Sequence, residues 1–151
     1  MTQLSSAVAY LHSKNIAHCD LKLENVLIDK DIKITKIIDF GLAIENRNIV
    51  DDVCLGTPSY MSPQLLNKDK FNPYKSDVWA LGVMFYKMVF GFLPFKGKTQ
   101  EQILKKVNTL GVTFPKTKKI NRKIQELLEK TLTIKENSRP TSEEIYNLLK
   151  N

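Results

Sequence analysis

The sequence predicts a mainly α-helical fold with short β-hairpins, built as one packed unit of 151 residues. Three observations predict it. Apolar residues return at helical spacing in successive stretches along the chain. One short region, Val26 to Ile34, breaks that rhythm with two brief apolar runs around the turn cluster Asp29-Lys30-Asp31. No internal repeat, low-complexity segment or linker separates these stretches. A chain of this length can bury roughly 70% of its unfolded surface, enough for a real core.

Leu4, Ala7, Val8 and Leu11 give an amphipathic helix over residues 2–14, closed at Asn15. Val26-Leu27-Ile28 and Ile32-Lys33-Ile34 read as paired strands, and Ile37-Ile38 leads into Asp39. Lys75-Ser76-Asp77-Val78 opens a helix that runs to Phe90 and is apolar almost all round, which belongs in the middle of a domain. It is too short for a comfortable membrane span. Asp77 near its start suits the helix dipole. Gly91 and Leu93-Pro94-Phe95 end it. Thr99-Gln100-Glu101-Gln102 and Thr141-Ser142-Glu143-Glu144 read as capping boxes ahead of two further helices. Ile120, Ile124, Leu127, Leu128 and Leu132 mark another between them.

Composition narrows the function classes. Apolar residues make up 42% of the chain and charged residues 26%, ordinary for a globular domain. Two cysteines, Cys19 and Cys54, make no disulfide framework. The start shows no secretory signal, and a reducing, cytoplasmic setting is expected. The formal net charge is +7, nearly all the positive side from lysine. The densest basic run, Lys116 to Lys123, has no aromatic interleaving beyond Phe114, so it reads as a solvated face rather than a nucleic-acid platform. No membrane partner is expected.

The chemistry concentrates in His18-Cys19-Asp20-Leu21-Lys22-Leu23-Glu24-Asn25, followed by Asp39-Phe40-Gly41. A hairpin between the two motifs returns the chain near its start, so Asn25 and Asp39 can face one point. Two oxygen ligands there suit Mg²⁺, which takes further ligands from water and substrate phosphates. These motifs, in this order and at this separation, resemble the catalytic loop and metal-binding turn of eukaryotic Ser/Thr protein kinases. The resemblance covers essentially the whole chain. It implies a protein-kinase-like fold and ATP with Mg²⁺ as cofactors. It implies Asp20 as the acceptor of the substrate hydroxyl proton, with Lys22 on the transferring phosphoryl group, and Asn25 and Asp39 on metal. Gly56-Thr57-Pro58 resembles the substrate-docking end of the kinase activation segment, and implies that Thr57 bridges Asp20 and Lys22. The implied partners are protein substrates with Ser or Thr. Asp77 is implied to support the loop backbone, and His18 to be structural. The loop phrase and Gly91-Phe92-Leu93-Pro94-Phe95 look most like the calmodulin-dependent and AMP-activated kinase group.

Two positions depart from the family pattern. Cys19 stands where arginine is commonest, and no Ser, Thr or Tyr occurs from Leu42 to Leu55. The phosphate-pairing arginine and the usual upstream phosphosite are missing together, so phosphorylation in that stretch is not expected to control the protein. Gln64 stands where the family places a glutamate paired with an arginine, here Arg139. The acidic neighbours of Cys19 argue against a reactive thiol.

The match is to the larger C-terminal lobe only. No glycine-rich phosphate loop, lysine-bearing strand or partner glutamate helix is present, so a partial kinase domain without the small β-rich lobe is expected over residues 1–151. Apolar surface is then expected where a small lobe, supplied by another chain, would pack. The alternative is a catalytically inert, kinase-derived binding or scaffold module.

Overall fold

In a computed structural model, residues 1–29, 31–51, 56–116 and 118–151 are described. Among the described residues six α-helices carry the fold: α1 (Thr2–Ser13), α2 (Pro63–Asn67), α3 (Pro73–Phe90), α4 (Gln100–Leu110), α5 (Arg122–Thr131) and α6 (Ser142–Lys150). Four short strands among these residues make two antiparallel pairs. β1 (Ile16–Ala17) pairs with β4 (Ile44–Glu45), and β2 (Val26–Asp29) with β3 (Ile34–Ile37). The mainly helical, kinase-like fold expected from the sequence is the one found.

α3 is the axis of the lobe. Asn72 caps it by accepting from Lys75 N, Pro73 occupies its first turn, and Gly91 ends it with φ 83°. The helix starts at Pro73, two residues ahead of the Lys75 at which the sequence pattern opens it. Asp77 through Tyr86 are all buried. Trp79 stacks on Phe95 with centroids 5.7 Å apart. At Gly82 an added Cβ would lie 2.5 Å from Thr131 Oγ1, so α3 and α5 approach as closely as they do only because no side chain intervenes. The last turn turns outward, and Met88 is 42% exposed.

The caps follow the sequence with one correction. Thr141 and Glu144 make the full reciprocal capping box of α6. Thr99 caps α4 through Gln102 N, but Gln102 Oε1 accepts from Lys98 N rather than closing the box on Thr99. A second correction falls in the hairpin. The returning strand begins at Ile34, not Ile32. Asp29 Oδ1 accepts from Asp31 N and Ile32 N, and Lys33 sits at φ 53°, so residues 31–33 belong to the turn. Lys30 of that turn cluster lies outside the described residues. So do Cys54 and the part of the hydroxyl-free stretch from 52 to 55.

Arg139 locks the C-terminal helices to α3. It is 2% exposed and lies over the Trp79 ring at 5.0 Å. Its guanidinium donates to Thr133 O, Lys75 O, Ile134 O and, at 2.8 Å, Gln64 Oε1. Burial pushes the group down to about 10, against the pull of the Glu136 charge, so it remains charged at neutral pH. Among the described residues no carboxylate lies within ion-pair distance of it. Gln64→Glu supplies one beside a desolvated cation, at the loss of the Gln64 Nε2 bond to Ile134 O. A net gain of about 0.5–2 kcal/mol is expected, because charge-assisted bonds exceed neutral ones by roughly twofold. A thermal melt checks it; an unchanged or lower midpoint contradicts the pairing.

Candidate active site

The site grows from a loop held rigid from below. After α1, Asn15 adopts φ 58° and the chain enters β1. Asp77, 1% exposed in α3, accepts from His18 N at 2.7 Å and from Cys19 N at 2.9 Å. Its Oδ2 also meets His12 Nε2 at 3.0 Å, and His12 Nδ1 meets Ser142 Oγ at 2.8 Å. One buried carboxylate thus ties the loop backbone to α1, α3 and α6. His18 is fully buried. Its Nε2 donates to Ile38 O and its Nδ1 accepts from Asp20 N, which fixes the tautomer and links the loop to the segment before Asp39. The ring also packs on Phe40 at 4.9 Å.

Cys19 sits at φ 63° and points inward, its Sγ toward Ala17 O. Burial and then the Asp77 charge push its thiol well above the ordinary range, so it is held as a neutral thiol. This agrees with the reading against a reactive cysteine.

Above the loop, three residues close a triangle. Lys22 Nζ donates to Asp20 Oδ2 at 2.7 Å and to Thr57 Oγ1 at 2.9 Å, and Thr57 Oγ1 donates to Asp20 Oδ1 at 3.0 Å. Asn25 Nδ2 donates to Asp20 O at 2.9 Å and to Oδ2 at 3.2 Å. Burial raises the Asp20 carboxyl, but the bonds from Lys22, Thr57 and Asn25 outweigh it and leave it below its ordinary value. The same bond to Asp20 raises Lys22, helped by the nearby charges of Asp39 and Glu24. Thr57 reaches Asp20 because Gly56, at φ 96°, lets the segment lie on the loop; a Cβ there would stand 2.7 Å from Cys19 O.

Asn25 and Asp39 leave the hairpin at one end. The ladder continues beyond Val26↔Ile37 with Ile38 N donating to Asn25 O at 3.0 Å. Asp39 takes φ 64°, and among the described residues its exposed carboxylate accepts only a long 3.3 Å bond from Gly41 N. With Asn25 Nδ2 engaged by Asp20, its Oδ1 is the oxygen left for a ligand. Among the described residues no group of three or more His, Cys, Asp or Glu is disposed to hold a metal. One carboxylate and one amide oxygen are the donor set of a hard cation completed by water and phosphate oxygens, so the residues fit Mg²⁺.

The structure therefore brings Asp20, Lys22, Thr57 and Asn25 into direct contact and sets Asp39 beside them. His12 was not singled out from the sequence, although its place in the last turn of α1 puts it opposite α3. Lys87 was also missed. It is the one charged residue in the second half of α3, and it pairs with Glu24 on the open side of the loop.

The protein kinase domain family matches residues 1–148, and the chain belongs to that family. It is 36% identical over 148 residues to a probable serine/threonine-protein kinase, MARK-A, of Dictyostelium discoideum, covering 97% of this chain and 14% of that one. It is 38% identical over 117 residues to the maternal embryonic leucine zipper kinase of Xenopus laevis, covering 76% of this chain and 18% of that one. It is 33% identical over 149 residues to the cell cycle serine/threonine-protein kinase CDC5/MSD2 of Saccharomyces cerevisiae, covering 97% of this chain and 21% of that one. The chain thus spans a fifth or less of the length of the first and second of these relatives, and 21% of the third. Among the described residues no helix is long and apolar enough to cross a membrane.

Proposed function

We propose that residues 1–151 are the C-terminal catalytic lobe of a Ser/Thr protein kinase, a partial kinase domain that serves transfer of the ATP γ-phosphoryl group to Ser and Thr hydroxyls of proteins. The observation that carries this is the Asp20–Lys22–Thr57 triangle, a carboxylate kept ionised next to a fixed cation. Asp20 accepts the proton of the substrate hydroxyl as its oxygen bonds to the γ-phosphorus and the bond to the ADP oxygen breaks. Lys22 balances charge on the transferring group, and Thr57 holds both side chains in place. Asn25 and Asp39 would hold Mg²⁺, which when bound supplies charge neutralisation at the phosphates.

The exposed apolar residues of the hairpin and the turn after it support the partial-domain reading. Leu27, Ile28, Ile34, Phe40 and Leu42 are all exposed. A small lobe, in a longer form of this chain or in a separate one, covers that surface and completes the nucleotide site. An inert scaffold remains the competing reading, and activity separates the two. Incubation with radiolabelled ATP, Mg²⁺ and a mixed Ser/Thr peptide pool is expected to label Ser and Thr but not Tyr. Labelled tyrosine, or no transfer even with a kinase small lobe added, contradicts the proposal.

A further inference from the structure

Beside the triangle, on the open side of the loop, lies a cavity of about 470 Å³ whose lining includes Lys22, Glu24, Thr57, Ser59, Tyr60, Lys87 and Leu93. Because Lys22 and Thr57 form its wall, a peptide that offers a hydroxyl to Asp20 runs a neighbouring side chain over it. Its only carboxylate is Glu24, which in isolation would select a basic residue. That carboxylate is already engaged. Lys87 Nζ donates to Glu24 Oε1 at 3.3 Å and to Tyr60 Oη at 3.1 Å, and Tyr60 Oη donates to Glu24 Oε2 at 3.4 Å. Lys87 also lies over the Tyr60 ring at 5.8 Å. Lys22 is balanced by Asp20 in the same way. With Glu24 paired to Lys87 and Lys22 paired to Asp20 outside the lining, the cavity offers the Tyr60 ring, the Leu93 side chain and the Lys87 stem, with Ser59 as a further polar neighbour.

We propose that this groove makes the protein select an apolar side chain, and reject a basic one, at a position flanking the phosphoacceptor Ser or Thr. The proposal rests on the kinase reading above and names its substrate class. Lys87 sets the selection by holding Glu24, and it does so from outside the triangle.

The test is positional scanning with fluorescein-labelled Ser peptides, each flanking position set in turn to Leu, Ala, Asp or Arg, with affinity for the 1–151 chain read by anisotropy. Phosphotransfer to the same peptides is measured in parallel. At one position Leu is expected to bind about threefold or more tighter than Arg. Lys87→Ala removes the counter-charge of Glu24, leaving only the long Tyr60 bond, and is expected to shift that ratio about threefold toward Arg, a modest factor because the Glu24 side chain is 58% exposed. Lys87→Met, which keeps the stem and frees the same carboxylate, is expected to shift the ratio likewise. A wild-type preference for Arg at every contacted position, a ratio unmoved by either variant in a folded chain, or no peptide binding at all overturns the proposal. Selective binding without transfer supports the groove while counting against the kinase reading; transfer without selection does the reverse.

Discussion

Asp20→Asn is expected to lower phosphotransfer by about 10²–10⁴-fold, the usual worth of a positioned general base. The substitution keeps the shape of the side chain. Its amide oxygen still accepts from Thr57 or from Lys22, so the loop survives, but it cannot take the substrate's proton. It also leaves Lys22 with no counter-charge at 2.7 Å. Wild-type turnover should not fall on an acid limb until the pH drops below the ordinary carboxylate range near 4, because Asp20 is held below its usual value. The sign of the linked stability agrees. A carboxyl lowered on folding contributes stability above its unfolded pKa and loses it as pH falls through the folded one. The check is a steady-state assay with one Ser peptide alongside a thermal melt. A variant that melts like the wild type and retains activity within threefold contradicts Asp20 as the base.

Asp77→Ala is expected to destabilise the fold by about 3–5 kcal/mol. Three donors, His18 N, Cys19 N and His12 Nε2, face this carboxylate. The two backbone groups are buried with it, and an unsatisfied buried donor costs about 1–3 kcal/mol. At roughly 2–4 °C per kcal/mol for a chain of this size, the melting temperature should fall by about 10 °C. Because both amides belong to the loop that carries Asp20, the loop should loosen before the helices do. Amide exchange at His18 and Cys19 should quicken more than in α5. A midpoint within 2 °C of wild type contradicts the role assigned to Asp77.

The sequence made the helices legible because each carries its own period and caps. Leu4, Val8 and Leu11 mark α1, and the Thr141–Glu144 box marks α6 where it stands. The polar triangle was legible through family resemblance, since nothing in the spacing of Asp20, Lys22 and Thr57 shows that Thr57 returns 37 residues later to bond Asp20. The turn of the β2–β3 hairpin was not legible. Ile32 looks like a strand residue, but the left-handed Lys33 and the Asp29 side chain decide the turn. The β1–β4 pair was missed because two-residue strands carry no period. His12 and Lys87 were missed for another reason. A single polar residue on a helix looks solvated until the partner it meets, Asp77 or Glu24, is placed opposite it by packing.

On the proposed function, this lobe carries a working half of a nucleotide–metal site. Calorimetric titration of ATP into the chain, with and without Mg²⁺ and with Asp39→Ala as the control, tests it most directly. Asp39 is exposed and makes one weak bond, so its removal should leave the fold intact. Binding should require Mg²⁺ and disappear in Asp39→Ala. No Mg²⁺-dependent binding by the folded chain, or binding that survives Asp39→Ala, would contradict it.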